Sequence, residues 1–354
     1  MSDKIRLAVI GCRNNGVSHI RRAGDIEGVA VVAAADTDPE RLDIVRDEFG
    51  IERLHQDAAE VFAADDIEGV VLSVPNHLHA PMSIRALDAG KHVLVEKPMA
   101  HSVEACKDMI AARDRTGKTL MVGYNQRFWP QVPGIRKGIT EGEIGDVVFA
   151  RAWWNRRPSG DGKRWGRGAW MDTRATSGGG PLVDIGVHKL DFTLYVMGFP
   201  QVTEVFADCT YGIGAVDAEK YDRKYEQEDF CYAAMRMANG ATLHLEASYF
   251  LNDYENAGQG SIVYGTRGGF RTGGPKGTHL FRVENGENIE IELPPDSEWP
   301  CSCVEHFVKV LRGEQDLVTT PEQGLAIQEM VEAIYESADT GKPVKLESKE
   351  RGNA

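Results

Sequence analysis

Leu7-Ala8-Val9-Ile10-Gly11-Cys12-Arg13-Asn14-Asn15-Gly16 is the stretch on which the fold turns. Four apolar residues run straight into a glycine, and a helical pattern follows at once. A strand covered on both faces reads as such an unbroken apolar run. The glycine spacing is the dinucleotide-binding fingerprint with one departure: Arg13 stands where the second glycine usually sits. Gly11 supplies the tight turn, and Gly16 lets the helix lie close to the strand. The free N–H groups of the helix start then face a pyrophosphate. Arg13 crowds the backbone approach, although a guanidinium can itself meet phosphate. Alone the pattern is weak. Asp36 strengthens it, because it lies 20 residues beyond Gly16 at the end of the next apolar run. A carboxylate there takes the ribose hydroxyls and repels a 2′-phosphate, which favours NAD over NADP. Arg41 pulls the other way and keeps NADP open.

Outward from this stretch, short apolar runs alternate with helical patterns. Ile5–Ile10, Val29–Ala35, Val70–Val74, His92–Val95 and Thr119–Val122 predict strands, while Pro39–Phe49, Pro81–Ala89 and Ser102–Thr116 predict helices. Such alternation gives an α/β fold, a Rossmann-type doubly wound parallel sheet. Gly90 and Gly117 fall where left-handed helix caps are expected. After Gly123 the texture changes. Asp146–Asn155, Val202–Tyr211, Asp229–Ala238 and Ala241–Phe250 alternate residue by residue, and Asn239-Gly240 predicts a hairpin. In the last of these, Ala241, Leu243, Leu245, Ala247 and Tyr249 share one face. The expectation is a second, α+β domain with a large, mostly antiparallel open sheet, one face packed on helices. Pro181–Met197 and Pro321–Thr340 predict two of those helices. The boundaries are 1–123 for the dinucleotide domain and 124–354 for the domain of substrate binding and oligomer contacts. Ser348–Ala354 is expected to fray.

The composition limits the function classes. Of 354 residues, 42% are apolar and 27% charged, so the chain can bury a sizeable core. With 40 basic against 54 acidic residues, the net charge of −14 argues against a nucleic-acid platform. Cysteines 12, 106, 209, 231, 301 and 303 form no C-x-x-C pair, and no metal site is expected. They read as free thiols of a cytoplasmic protein. No run approaches the ~20 apolar residues of a membrane span, and the start is too short in apolar residues for a secretion signal.

Two further segments carry chemistry. Ser73-Val74-Pro75-Asn76-His77-Leu78-His79 leads through Ala89–Val95 to Glu96-Lys97-Pro98, and Gly178-Gly179-Gly180 leads to Asp184, Gly186, His188 and Asp191. Asp184 and His188 are four apart and share a helix face. Lys97 ends a strand at its carboxyl edge, where α/β sheets bind ligands. Gly186 inside a helix hints at close backbone packing. Together with the altered glycine loop, E-K-P and G-G-G-x-x-x-D-x-G-x-H resemble the Gfo/Idh/MocA oxidoreductases, the glucose–fructose oxidoreductase and inositol dehydrogenase family. The resemblance runs over nearly the whole chain.

That resemblance implies an NAD(P)-dependent oxidoreductase moving a hydride between nicotinamide and a secondary hydroxyl of a sugar, inositol or glycoside. His188 would take the hydroxyl proton, for which an ordinary imidazole pKa near 6.5 is suited. Lys97 would stabilise the charge on the reacting oxygen, and Asp184 would orient the hydroxyl or the imidazole. Cofactor contacts are implied at Gly11, Cys12, Arg13, Asn14, Asn15, Asp36, Thr37, Arg41, Ser73, Val74, Pro75, Asn76, His79, Glu96, Lys97 and Asn125. Arg127 would reach the cleft. Trp153–Ser177 gathers Trp153, Trp154, Arg156, Arg157, Lys163, Arg164, Trp165, Arg167, Trp170 and Arg174. Aromatic faces and forked donors suit a polyhydroxylated or anionic ligand, with Trp153 and Trp165 as substrate candidates; an interface loop fits the same composition. A homo-oligomer, dimer or tetramer, through the second sheet is the expected partner. Two alternatives stay open: an NAD-dependent glycoside-cleaving enzyme of this fold, and a non-catalytic dinucleotide-binding sugar sensor.

Overall fold

The computed structural model describes residues 4–156, 165, 168–251, 258–273 and 277–347. Arg157, Lys163, Arg164, Arg167 and Ser348–Ala354, named above, lie outside these. The chain forms two compact units, Met1–Phe128 with Pro300–Gln328, and Trp129–Trp299 with Glu329–Ala354. Among the described residues no helix is long and apolar enough to cross a membrane.

The first unit holds strands β1 (Ile5–Ile10), β2 (Val29–Ala35), β3 (Leu54–His55), β4 (Gly69–Leu72), β5 (His92–Glu96) and β6 (Leu120–Gly123). They form one parallel sheet in the order β3-β2-β1-β4-β5-β6. The order reverses between β1 and β4, and ligands bind at such a switch point in open α/β sheets. Helices α1 (Asn14–Gly24), α2 (Pro39–Phe49), α3 (Ala58–Phe62), α4 (Asn76–Asp88) and α5 (Val103–Thr116) connect the strands. Local chemistry sets their ends. Asp38 caps α2 through the Glu40 N–H at 3.1 Å, and Ser102 caps α5 through Ala105 at 3.2 Å. Gly90 and Gly117 are both left-handed. A helix from far along the chain, Cys303–Leu311, completes this unit's core. Its Cys303, Val304, Phe307 and Val308 pack with Leu7, Val9, Ile20 and Val71.

In the second unit, α6 (Val132–Thr140) precedes β7 (Val147–Asn155), α7 (Arg174–Ser177) and α8 (Val187–Val196). A single π-helical turn, Leu182–Gly186, leads directly into α8, so the expected helix has two hydrogen-bonding regimes. Then come β8 (Val202–Thr210), α9 (Ile213–Glu219), β9 (Phe230–Met237), β10 (Thr242–Ser248), β11 (Gln259–Gly265), β12 (Gly268–Thr272), β13 (His279–Glu284), β14 (Glu287–Glu292) and β15 (Val344–Lys345). The nine strands lie in the order β14-β13-β12-β11-β7-β10-β9-β8-β15. Most neighbours are antiparallel, but β7 and β10 run parallel, which makes the sheet mixed. Helix α8 and β8–β9 intervene between them, a crossover long enough to return the chain in the same sense. The hairpin at Asn239-Gly240 is present, with Gly240 at φ +87°. The Gly186 backbone lies bare against β10, where a Cβ would stand 3.0 Å from that of Ala247.

Candidate active site

In the first unit the glycine loop leaves β1 at the switch point. Gly11 adopts φ +89°, and a Cβ there would stand 2.2 Å from the Ser73 carbonyl oxygen; a Cβ on Gly16 would stand 1.8 Å from that of Gly11. Both positions therefore require glycine. The first turn of α1 has neither a side-chain cap nor an acidic residue, and Arg13, Asn14 and Asn15 are exposed beside it. An uncapped helix start of this kind is a seat for an anion. Asp36 accepts from the Cys12 N–H at 2.6 Å and from Asp38 at 3.0 Å, which fixes a carboxylate at the end of β2. Burial and then Asp36 push the Cys12 thiol up to about 12, leaving a protonated side chain at neutral pH. Arg41 lies 3.7 Å from Asp38. The cradle, the helix start and the fixed carboxylate fit the pyrophosphate and ribose of a dinucleotide.

The Glu96-Lys97-Pro98 loop is braced from below. His19 Nε2 donates to Glu96 Oε1 at 2.6 Å, with both side chains buried. Burial raises the Glu96 carboxyl, but the His19 hydrogen bond and the charges of His19 and Lys97 hold it below the usual range. His79 is wholly buried, its nitrogens 2.7 Å from the Pro98 carbonyl and 3.0 Å from that of Val74. A neutral imidazole donates to only one of them, and burial keeps this ring's pKa low. His79 thus pins two loops together from inside. Lys97, half-buried, precedes Pro98 across a cis peptide bond.

Arg127 does not meet the expectation of an open cleft. It is fully buried, donating to the Val318 carbonyl at 2.7 Å and to Gln323 Oε1 at 2.5 Å, with its guanidinium over Tyr124. Both of these bonds, made by one nitrogen of the fork, lie inside its own unit. Asn125, at the start of the same short helix, is exposed.

In the second unit, Asp184 lies on the π turn and His188 at the start of α8, so one continuous segment carries both. Glu228, fully buried, holds its entry. The carboxylate accepts from Gly180 N–H at 3.0 and 3.1 Å, from Leu182 N–H at 3.0 Å and from the Tyr335 hydroxyl at 3.0 Å. Burial raises its carboxyl, and these donors pull it back part of the way. Tyr249 donates its hydroxyl to Asp184 Oδ2. His188, 8% exposed, lies against Trp154, with ring centroids 5.6 Å apart.

Trp153 is on the opposite face of the sheet from His188, because successive strand residues face opposite ways. It lies under Arg151 and against Gly260. The tryptophan beside the histidine is Trp154. Trp165 is buried, stacked on Phe250 and donating to Asp217 Oδ2 at 2.9 Å, in the cluster that includes Ile185 and Tyr249. Tyr249, Glu228 and Lys189 escape a reading of the sequence by motif. For Tyr249 a signal existed: just past the end of β10 it continues the alternation of Ala241, Leu243, Leu245 and Ala247, and it alone among them bears a hydroxyl.

Comparison with known proteins follows the same division. A model of an oxidoreductase family's NAD-binding Rossmann fold matches residues 5–124, and one of an oxidoreductase family's C-terminal alpha/beta domain matches residues 136–346. The chain is 30% identical over 357 residues to the D-glucoside 3-dehydrogenase of Escherichia coli (strain K12), covering 98% of each. It is 25% identical over 355 residues to the scyllo-inositol 2-dehydrogenase (NAD(+)) of Bacillus subtilis (strain 168), covering 99% of this chain and 98% of the other. Among solved structures, an aldose-aldose oxidoreductase from Caulobacter crescentus superposes with a TM-score of 0.82 at 26% identity, covering 97% of this chain and 100% of that one.

Proposed function

Because this chain belongs to the Gfo/Idh/MocA oxidoreductase family, whose Rossmann fold binds NAD, we propose that it oxidises a secondary hydroxyl of a sugar, inositol or glycoside. Bound NAD supplies the hydride acceptor. Gly11, Arg13, Asn14, Asn15 and Asp36 hold the dinucleotide, with Thr37, Ser73, Val74, Pro75, Asn76 and Asn125 around it. The Asp36 carboxylate disfavours a 2′-phosphate, and Arg41 is engaged with Asp38. His188 takes the hydroxyl proton, Lys97 stabilises the oxygen as charge develops on it, and Asp184 orients the group that reacts.

The observation that carries this reading is the Tyr249–Asp184 hydrogen bond on the segment that also carries His188. A hydroxyl donating to a carboxylate fixes the orientation of that carboxylate. Asp184 is then ready to accept from a substrate hydroxyl or an imidazole. The names of the D-glucoside and inositol dehydrogenases support a carbohydrate substrate.

The test is NAD reduction at 340 nm with a panel of hexoses, inositols and glycosides. Lys97→Met is expected to lower kcat by about a hundred- to a thousandfold while the NAD dissociation constant stays within about twofold. Turnover by Lys97→Met at the wild-type rate would sink the assignment.

A homo-oligomer, dimer or tetramer, belongs to the same proposal. The open face of the second sheet carries a continuous aromatic band: Phe149 with His244 and Tyr264, Tyr232 with His244, and Tyr264 with Phe281. Phe206 on that face is 44% exposed. An apolar band of this extent is a surface that a partner covers. A cytoplasmic location is supported by the six free thiols.

A further inference from the structure

Cys209 and Cys231 are register partners on the antiparallel strands β8 and β9 of the second unit. Both side chains point to the buried face of the sheet. Cys209 keeps step with Val205 and Ala207, and Cys231 with Ala233 and Met235, all four of them buried. Residues directly opposite in such a pair have Cα atoms about 4.5 or about 5.5 Å apart, and a disulfide accepts about 4.4–6.8 Å. The two thiols already meet, with Cys231 hydrogen-bonded to Cys209. A bond between them therefore asks for little movement of the strands.

The two thiols differ in what reaches them. Cys231 is wholly buried, whereas Cys209 is partly exposed near the end of β8. The hydrogen bond to Cys209, and then burial, push the Cys231 thiol well above its usual range, so Cys231 keeps its proton and Cys209 is the one to meet a solute. The other four thiols are placed differently. Cys12, Cys106 and Cys303 are buried, and the exposed Cys301 has its thiol hydrogen-bonded to Glu305.

The pair also sits against the anchor of the segment that carries Asp184 and His188. Glu228 stands three residues before Cys231 and accepts from the Tyr335 hydroxyl at 3.0 Å. Glu228, Cys231 and Cys209 all lie close enough to act electrostatically on that hydroxyl. The chain between the two cysteines carries α9, Glu228 and Asp229, and Asp229 accepts from Ile213 at 2.6 Å and from Gly214 at 2.7 Å. One cross-link would close this whole stretch into a ring.

We propose that Cys209 and Cys231 form a peroxide-responsive modification site, a thiol pair that closes to a cross-strand disulfide and ties down the stretch carrying Glu228. The Cys209 thiolate attacks one oxygen of hydrogen peroxide. An S–O bond forms, the O–O bond breaks, and the departing hydroxide takes up the proton that the thiol released. The Cys231 sulfur then attacks the Cys209 sulfur. The S–S bond forms, the S–O bond breaks, and the second hydroxide takes the Cys231 proton. Two thiols are oxidised and one peroxide is reduced to two waters. The site stands apart from the carbohydrate reading and does not depend on it.

The experiment treats the full chain with a small excess of hydrogen peroxide, blocks the remaining thiols with N-ethylmaleimide, and maps unreduced peptides by mass spectrometry. The expected result is a loss of two of the six thiols, a peptide cross-linked between Cys209 and Cys231 within one chain, and recovery of both thiols with dithiothreitol. In Cys231→Ser the sulfenic acid has no partner, so dimedone is expected to label Cys209. In Cys209→Ser the buried Cys231 is expected to stay reduced. The urea midpoint of wild type is expected to rise by about 0.5 M or more on oxidation, a rise absent from Cys209→Ser. Survival of all six thiols overturns the site. So does over-oxidised Cys209 beside a reduced Cys231, or a disulfide joining any other pair or two chains. A Cys209–Cys231 disulfide that leaves the urea midpoint unchanged overturns the tying-down of the stretch between them.

Discussion

Lys189 is fully buried beside His188, and its Nζ has no hydrogen-bond acceptor among the described residues. Ring faces surround it instead, with centroids at 4.8 Å for Trp129, 5.7 Å for Trp154 and 5.8 Å for Phe192. Burial drags its pKa down to about 7, and the rings return only part of the lost hydration. In the unfolded chain the ammonium keeps an ordinary pKa near 10.4. Below pH 7 both states are charged, and the burial cost is fully present. Between pH 7 and about 10 the folded protein holds a neutral amine while the unfolded chain stays protonated, so stability rises with pH. Relative to Lys189→Met, wild type is therefore expected to gain roughly 3 kcal/mol between pH 7 and pH 9.5. Urea unfolding of both proteins at the two pH values measures this, and a constant difference between them would refute it. At this scale the sequence supplied residue types and left their facing open. Trp153 and Trp154 are adjacent aromatics in one stretch, and only the pairing of β7 with β10 and β11 separates them, one toward His188 and one away.

The segment from Gly180 to Val196 works as one element, and Glu228 is its anchor. Replacing the carboxylate by an amide turns an acceptor into a donor facing the Gly180 and Leu182 N–H groups, which leaves buried donors unmet. Glu228→Gln is thus expected to lower kcat by about tenfold or more through misplaced Asp184 and His188, with the KM for NAD within about twofold. Glu228→Asp, which keeps the charge but is shorter, should recover part of the loss. A variant whose kcat and NAD KM worsen together would indicate general damage instead. The helices α2 and α5, the hairpin at Gly240 and most Rossmann strands were legible because caps, turn residues and apolar runs act locally. The π turn was not, since one extra residue between hydrogen-bond partners leaves no mark in composition. Strands β13 and β14 escaped too. Glu287, Glu290 and Glu292 stand on β14 in a ribbon exposed over most of its length, and without a buried face the alternation carries little contrast.

For the whole molecule the decisive fact is that the chain returns to its first unit after building most of its second. Phe307, on the helix Cys303–Leu311, is fully buried in the core around β1 and β4, where Gly69 leaves it room. Phe307→Ala is expected to cost about 3–5 kcal/mol and to lower the midpoint of urea unfolding followed by NAD-dependent protection. An unchanged midpoint would show that the returning helix contributes little. The helix Cys303–Leu311 was not among those expected from the sequence, and its destination could not be read there either, because contacts across some 200–300 residues leave no local trace. The sequence by itself determined the dinucleotide fold and the family, since the glycine turn, the carboxylate after β2 and the paired motifs each act within a short span. The tertiary structure alone decided which tryptophan meets His188, that Arg127 is buried, and that Glu228 anchors the segment on which Tyr249 bonds Asp184. Those outcomes depend on strand register and on burial, which exist only once distant segments share a core.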